Sequence, residues 1–210
     1  MKQPEQKIYL ASKSPRRREL LRQIGVEFEL LLLRDQAPRG PDVNEDVHPG
    51  ELPQDYVARV TNEKAAFAWA MMLQRRLPMR PVLAADTTVV IDGNILGKPA
   101  STNEAVAMMR LLSGRTHQVL TGIALHLNEY SWQLTQTSEV TFCRLSEEQI
   151  SRYCASQEPY DKAGGYGIQG LAALFIRHIA GSYSGIMGLP LFETAQLLQE
   201  AGIRPLSGPP

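Results

Sequence analysis

The chain has 210 residues, of which 43% are hydrophobic and 21% charged, a composition that excludes a disordered chain and suits one domain or a tight pair of lobes. Twenty-two basic residues balance 22 acidic ones, so no net positive field recruits nucleic acid or an anionic membrane surface. No apolar run approaches the ~18 residues of a spanning helix, the opening MKQPEQK lacks a signal-peptide core, and Cys143 and Cys154 give neither a disulfide framework nor zinc spacing. The expectation is a cytoplasmic protein with two reduced thiols.

In chain order, residues 1–7 read as a tail and Ile8–Ala11 as a short apolar strand. Ser14 and Pro15 then open a helix that Gly25 closes. Residues 34–53 hold four prolines and two glycines and read as a loop. A helix is expected from about Gln54 to Arg76, with Val57, Val60, Phe67, Ala68 and Met71 as its apolar stripe. Val82–Ile91 is the strongest strand, and Asp92-Gly93-Asn94 turns it into a second strand over 95–97. Ser101 and Glu104 form a capping-box pattern before a helix ending at Gly114. Strands follow at Val119–Leu127 and Gln133–Leu145, then a second capping box at Ser146 and Gln149 opening a helix to about Ala155. Beyond a glycine-rich stretch at 164–170, Leu171–Ile179 reads as a strand and Phe192–Glu200 as the last helix, and residues 204–210 have no reason to be ordered. Strands and helices mix without strict βαβ alternation, which predicts a mixed twisted sheet with flanking helices.

Four places break these structural rules. At the first helix, Arg16 and Arg17 occupy the turn that favours acidic residues, beside the hydroxyls of Ser12 and Ser14. Free N–H groups, hydroxyls and guanidinium forks describe a phosphate site, against the plain alternative of solvated arginines. Lys64 interrupts the apolar stripe of the 54–76 helix, either snorkelling to water or held at a cleft wall to meet phosphate or carboxylate. Asp86 sits inside a strand that is apolar on both faces, where a carboxylate is costly unless paired, hydrogen-bonded or metal-bound. Asp161-Lys162-Ala-Gly-Gly-Tyr-Gly-Ile-Gln169-Gly carries four glycines in seven positions, which allow close backbone approach, and Gln169 offers both a donor and an acceptor to a base edge. It is neither a dinucleotide fingerprint nor a Walker A sequence. No serine- or cysteine-based triad stands out, and His117 and His126 lack metal-ligand spacing. These groups suit attack of water on a phosphoryl centre, with carboxylate and phosphate oxygens around magnesium or manganese. They do not fix which phosphate bond breaks.

The stretches LASKSPRRRELL, YVARVTNEKA, AADTTVVIDGNILGKP, LSGRTHQVLTG, EPYDKAGGYGIQG and GSYSGIMGLPLFET resemble, in order and from about Ile8 to Ile203, the Maf family of nucleotide pyrophosphatases. The resemblance implies an α/β fold related to the inosine-triphosphate pyrophosphatases, a single domain over 8–203 with two lobes around a central cleft, often dimeric. It implies cleavage between the α and β phosphates of nucleoside triphosphates with a divalent metal (Mg or Mn), and the DKAGxYGIQG form is associated with dTTP and UTP rather than 7-methyl-GTP. By motif, Asp86 would be the general base or metal-linked carboxylate, and Lys64, Lys98 and Arg16 would hold phosphates. Ser12 and Ser14 would add phosphate contacts, and Arg17, Thr87 and Gln169 would set substrate choice. The family usually carries an Asp-Glu pair before the Tyr-Val helix, whereas this chain has a longer loop with Asn44-Glu45. Counting back from Tyr56 assigns the metal role to Glu45, with Asp35 and Asp46 as competitors. Gly165 stands where alanine is usual. A house-cleaning role on modified pyrimidine nucleotides fits the family, and the competing reading is a nucleotide-binding regulator of septum formation without essential turnover.

Overall fold

The computed structural model describes residues 6–34 and 40–205. Its strands are β1 (Lys7–Leu10), β2 (Glu27–Leu30), β3 (Val82–Ile91), β4 (Asn94–Leu96), β5 (Thr116–Leu127), β6 (Tyr130–Phe142) and β7 (Ile176–Ala180). They form one seven-stranded sheet in the order β2-β1-β3-β5-β6-β7, with β4 also paired to β3. The β2-β1-β3 portion is parallel and the rest antiparallel, so the expected mixed sheet is observed. The helices are α1 (Pro15–Gln23), α2 (Pro53–Gln74), α3 (Thr102–Leu112), α4 (Glu147–Cys154), α5 (Tyr183–Ile186) and α6 (Leu191–Glu200).

Local chemistry accounts for most boundaries. Ser14 Oγ accepts the Arg17 N–H at the start of α1, and at its end Gly25, with φ of 71°, closes the helix through Gly25 N–H to Arg22 C=O and Val26 N–H to Leu21 C=O. The Ser146–Gln149 capping box is fully formed. At α3 it is shifted, because Ser101 caps Glu104 while the Glu104 carboxylate takes the N–H of Ala100 instead. Asp92 and Gly93 both adopt positive φ, as the two-residue turn between β3 and β4 requires.

Four expectations are corrected. Leu171–Leu174 is a 3-10 turn and pairing starts only at Ile176. The second long strand runs over Tyr130–Phe142, tied to β5 by a tight turn with Asn128 at positive φ, rather than 133–145. Lys7 belongs to β1 rather than to a tail, while residues 1–5 and 206–210 lie outside the described residues. Phe67 is 37% exposed, whereas Val57, Val60, Ala68 and Met71 of the expected stripe are buried and are joined by Thr61, Ala65 and Met72.

Side chains alternate along β3, so its two faces carry different cores. The odd face packs Leu83 and Ala85 with α1 and α6 at one end, and Val89 and Ile91 with α3 and α4 at the other. The even face packs Val82 and Ala84 under one half of α2, and Val90 under the other. Both faces change cluster at residues 86–87. Along the edge facing away from β5, β3 pairs with β1 only through Val82 and Leu83 and with β4 only from Val89. Residues 84–88 have no strand partner on that edge among the described residues. A crevice past the carboxyl end of a parallel strand is where open α/β sheets take ligands.

Candidate active site

Asp86 and Thr87 are the two half-buried positions in the otherwise buried β3, and they face opposite sides of the sheet beside the open edge. On the α2 side, Lys64 Nζ lies 2.7 Å from Asp86 Oδ1 and 2.8 Å from Glu45 Oε1. Lys64 and Asp86 side chains are only 14% and 13% exposed, whereas Glu45 is 52% exposed, so the pair is anchored in the fold and Glu45 reaches in from solvent. Lysine here pairs with carboxylates rather than snorkelling away from them. The cost of placing Asp86 in an apolar strand is offset by that ion pair.

On the other side, Thr87 Oγ1 accepts from Arg17 Nη2 at 3.1 Å and lies 3.0 Å from Thr121 Oγ1. Because Thr121 donates its own proton to the Gly185 carbonyl at 2.8 Å, Thr87 donates to Thr121. Arg17 also donates through Nε to Gly188 C=O at 2.7 Å and through Nη1 to Ser12 Oγ at 3.2 Å. Burial lowers the pKa of this guanidinium, opposed by the charge of Asp86 and reinforced by Arg16; it remains cationic. Arg17 therefore braces β3, α1 and the 185–188 turn together. Ser12 Oγ accepts from the Ser14 N–H and from Arg17, which leaves its proton to donate outward.

A cleft of about 280 Å³ opens beside this brace, lined by Arg16, Glu158, Lys162, Tyr166, Gln169 and Met187 among others. Arg16 is half-buried and Gln169 is exposed at its wall. Lys98 is exposed and its ammonium has no side-chain partner among the described residues, although the neighbouring Gly97 carbonyl accepts the Gly164 N–H at 2.9 Å. The structure thus gathers Glu45, Lys64 and Asp86 in one cluster, Ser12, Ser14, Arg17 and Thr87 in a second, and Arg16 and Gln169 in the cleft. Lys98 joins none of these through a side-chain contact.

The competing loop carboxylates separate. Glu45 meets Lys64, whereas the backbone N–H of Asp46 turns back to Asn44 Oδ1 and its side chain is exposed. Asp35 lies outside the described residues. Among the described residues no three His, Cys, Asp or Glu side chains gather as a metal cage. Two carboxylates converging on one cation, here the Lys64 ammonium, fit a hard divalent ion that takes one or two protein carboxylates and completes its shell with substrate phosphates.

The glycines of 164–170 act differently from the sequence-based expectation. A Cβ at Gly164 would stand 2.8 Å from Val89, one at Gly167 would stand 2.9 Å from Lys162, and one at Gly170 would collide with the Glu158 carboxylate. They let the loop close on its own neighbours. Glu158, which sequence reasoning missed, accepts from Tyr153 Oη at 3.1 Å and from the N–H groups of Leu171 and Ala172 at 2.6 and 3.1 Å. It fixes the end of the loop that carries Gln169. Tyr56, Arg59 and Thr121 were missed too, because nothing in their spacing distinguishes them from ordinary helix and strand residues.

Residues 7–201 match the family described as Maf-like protein. A dTTP/UTP pyrophosphatase of Dechloromonas aromatica (strain RCB) is 50% identical over 200 residues, covering 95% of this chain and 100% of that protein. Proteins of the same description from Nitrosomonas europaea and Aromatoleum aromaticum are each 53% identical, covering 93% and 96% of this chain and 95% and 98% of their own. Among solved structures, the Ham1 protein of Staphylococcus aureus aligns with 65% of this chain and 71% of its own at 13% identity and a TM-score of 0.41, too loose for any comparison of sites.

Proposed function

Since the chain belongs to the Maf family, we propose that it is a nucleoside triphosphate pyrophosphatase that hydrolyses dTTP and UTP to the monophosphate and pyrophosphate. Relatives at about 50% identity over nearly their whole length carry that name. The observation that carries the reading within this chain is the Glu45–Lys64–Asp86 cluster at the open edge of β3, one residue along the strand from Thr87, which Arg17 ties to the start of α1.

In this reading a pyrimidine nucleotide lies across the open edge, with its base in the cleft against Gln169 and its phosphates toward the helix start. Glu45 and Asp86 would hold the divalent cation (Mg or Mn), which supplies charge neutralisation on the phosphates and acidifies water. Asp86 accepts the proton of the attacking water. Lys64 would offset charge developing on the phosphates, together with Arg16 and Lys98. The outward hydroxyl of Ser12 and the Arg16 N–H, which takes no partner among the described residues, bind phosphate oxygens at the start of α1. Arg17 holds Thr87 at the cleft mouth, so both shape substrate choice without transferring protons. The divided cores support two lobes on either side of residues 86–87, and the family resemblance supports a homodimer. No helix among the described residues is long and apolar enough to cross a membrane.

The test is pyrophosphate and phosphate release, measured separately, from dTTP, UTP, CTP, GTP, ATP and 7-methyl-GTP with magnesium or manganese. Pyrophosphate from dTTP and UTP above the others is expected. Release of single phosphates would mean a different bond breaks, and no turnover by folded, metal-supplied protein would favour the nucleotide-binding regulator.

A further inference from the structure

Glu45 stands on a long irregular segment between β2 and α2, where a side chain would ordinarily be poorly placed for chemistry. Helix α2 removes that freedom. Arg59 Nη1 donates to Asn44 C=O at 3.2 Å and Nη2 to Asp46 C=O at 2.9 Å, while Tyr56 Oη donates to the carbonyl of Glu45 itself at 3.0 Å. Three consecutive backbone carbonyls centred on Glu45 are thus held by two side chains one turn apart on a single helix. The fork is itself aimed. Arg59 Nε and Nη2 meet both oxygens of Glu51 at 2.6 and 2.9 Å, and the Glu51 carboxylate also takes the His48 N–H at 3.0 Å. Arg59 lies 5.7 Å over the Tyr56 ring. The guanidinium holds the Glu51 carboxyl well below its ordinary range, at about 2, so the clamp stays charged at working pH. The same helix carries Lys64 one further turn on.

We propose that Arg59, aimed by Glu51 and assisted by Tyr56, is the positioning residue that presents Glu45 beside Asp86 and so sets the affinity of the divalent-cation site. This rests on the pyrophosphatase reading for the role of Glu45, but not for the clamp itself. A planar fork is required: it spans the carbonyls of residues 44 and 46 and a carboxylate together, which a point ammonium does not. Outer partners of metal ligands orient them, and losing one typically costs ~10–100-fold in metal affinity or activity.

The experiment uses the full chain with Arg59→Met, Arg59→Lys and Glu51→Gln. Three readouts are amide hydrogen exchange of peptides covering residues 43–51, Mn²⁺ binding by electron paramagnetic resonance in the presence of α,β-methylene dTTP, and the Mn²⁺ midpoint for pyrophosphate release from dTTP. Arg59→Met is expected to raise exchange and to weaken Mn²⁺ binding and its activation midpoint by ~10–100-fold, with kcat at saturating Mn²⁺ falling by less. Arg59→Lys should not rescue, and Glu51→Gln should give a smaller shift of the same sign. An unchanged midpoint with kcat alone reduced overturns the proposal. If Arg59→Met fails to fold, Glu51→Gln decides, and an unchanged midpoint there overturns it equally. Wild-type protein that releases no pyrophosphate would defeat the functional reading, and the exchange data would still judge the clamp: unchanged protection of residues 43–51 overturns it.

Discussion

Asp86→Asn keeps the shape of the side chain and removes one charge, which separates the chemical role of this carboxylate from its structural one. Lys64 Nζ loses an ionic partner at 2.7 Å and keeps Glu45 at 2.8 Å. At an effective dielectric of ~20, unit charges at that separation attract by about 6 kcal/mol. Holding both ions largely out of water costs several kcal/mol each, which cancels most of that gain. The amide oxygen of asparagine still accepts from the ammonium. Stability should therefore change by no more than about 1 kcal/mol in either direction, a Tm shift of ~2–4 °C for a chain of this size. Removal of the base should lower turnover by ~10²–10⁴-fold, about 3–5 kcal/mol of barrier. Thermal melts and pyrophosphate release from dTTP at saturating Mn²⁺ are measured on the same preparation. A variant that melts much lower, with activity lost in step with unfolding, would refute the reasoning, because Asp86 would then be holding the strand rather than the chemistry. So would a variant that keeps more than a tenth of wild-type turnover.

Gln169→Ala removes an exposed cleft residue, so melting should not move, while KM for dTTP and UTP should rise by ~10-fold, the worth of about one hydrogen bond, and the preference for UTP over CTP should narrow; steady-state kinetics on both nucleotides check this. Thr87→Val deletes the oxygen that accepts from Arg17 and donates to Thr121, leaving Arg17 Nη2 and one Thr121 lone pair unsatisfied, and should cost ~1–3 kcal/mol in urea unfolding. His117 is 2% exposed, and burial lowers its pKa from 6.5 to about 4. Its folded value lies below its unfolded one, so the unfolded state binds the extra proton and stability falls as pH drops from 6.5 toward 4, by about 3 kcal/mol in full. Urea midpoints between pH 7.5 and 4.5 should show this slope, and His117→Gln should flatten it; an unchanged slope would refute the assignment.

Elements with their own local chemistry were legible in the sequence. Ser14-Pro15, Gly25, the Asp92-Gly93 turn and the Ser146 capping box each satisfy backbone groups within a few residues, so their outcome needs no tertiary information. Strand β2 was not read from the sequence, because the alternation of EFEL lasts only four residues before it runs into Leu31, Leu32 and Leu33. The 3-10 turn at 171–174 was misread as strand, since its apolar run is held by Glu158, 13 residues upstream, and nothing in the run itself predicts that. Phe67 was misplaced because the i, i+3, i+4 pattern admits two neighbouring stripes, and the choice between them is made by β5: Gly122 sits so close that a Cβ there would strike Thr61. A tertiary contact selects the face that the helix buries.

The site divides along the same line. Asp86 and Lys64 were visible because each violates the pattern of its own element, and a violation is a local signal. Arg59 violates nothing: an arginine near the start of a long helix is ordinary, and its significance lies wholly in carbonyls 13 to 15 residues away. Resemblance could place Glu45 by counting back from Tyr56, yet the count works only because Tyr56 Oη bonds the Glu45 carbonyl and fixes the distance between them in space. The loop that precedes it can therefore lengthen without moving the carboxylate, since the position of Glu45 is set from α2 rather than from β2. A loop insertion before residue 42 should leave turnover intact, whereas one between residues 46 and 51 would part Glu45 from the helix that aims it.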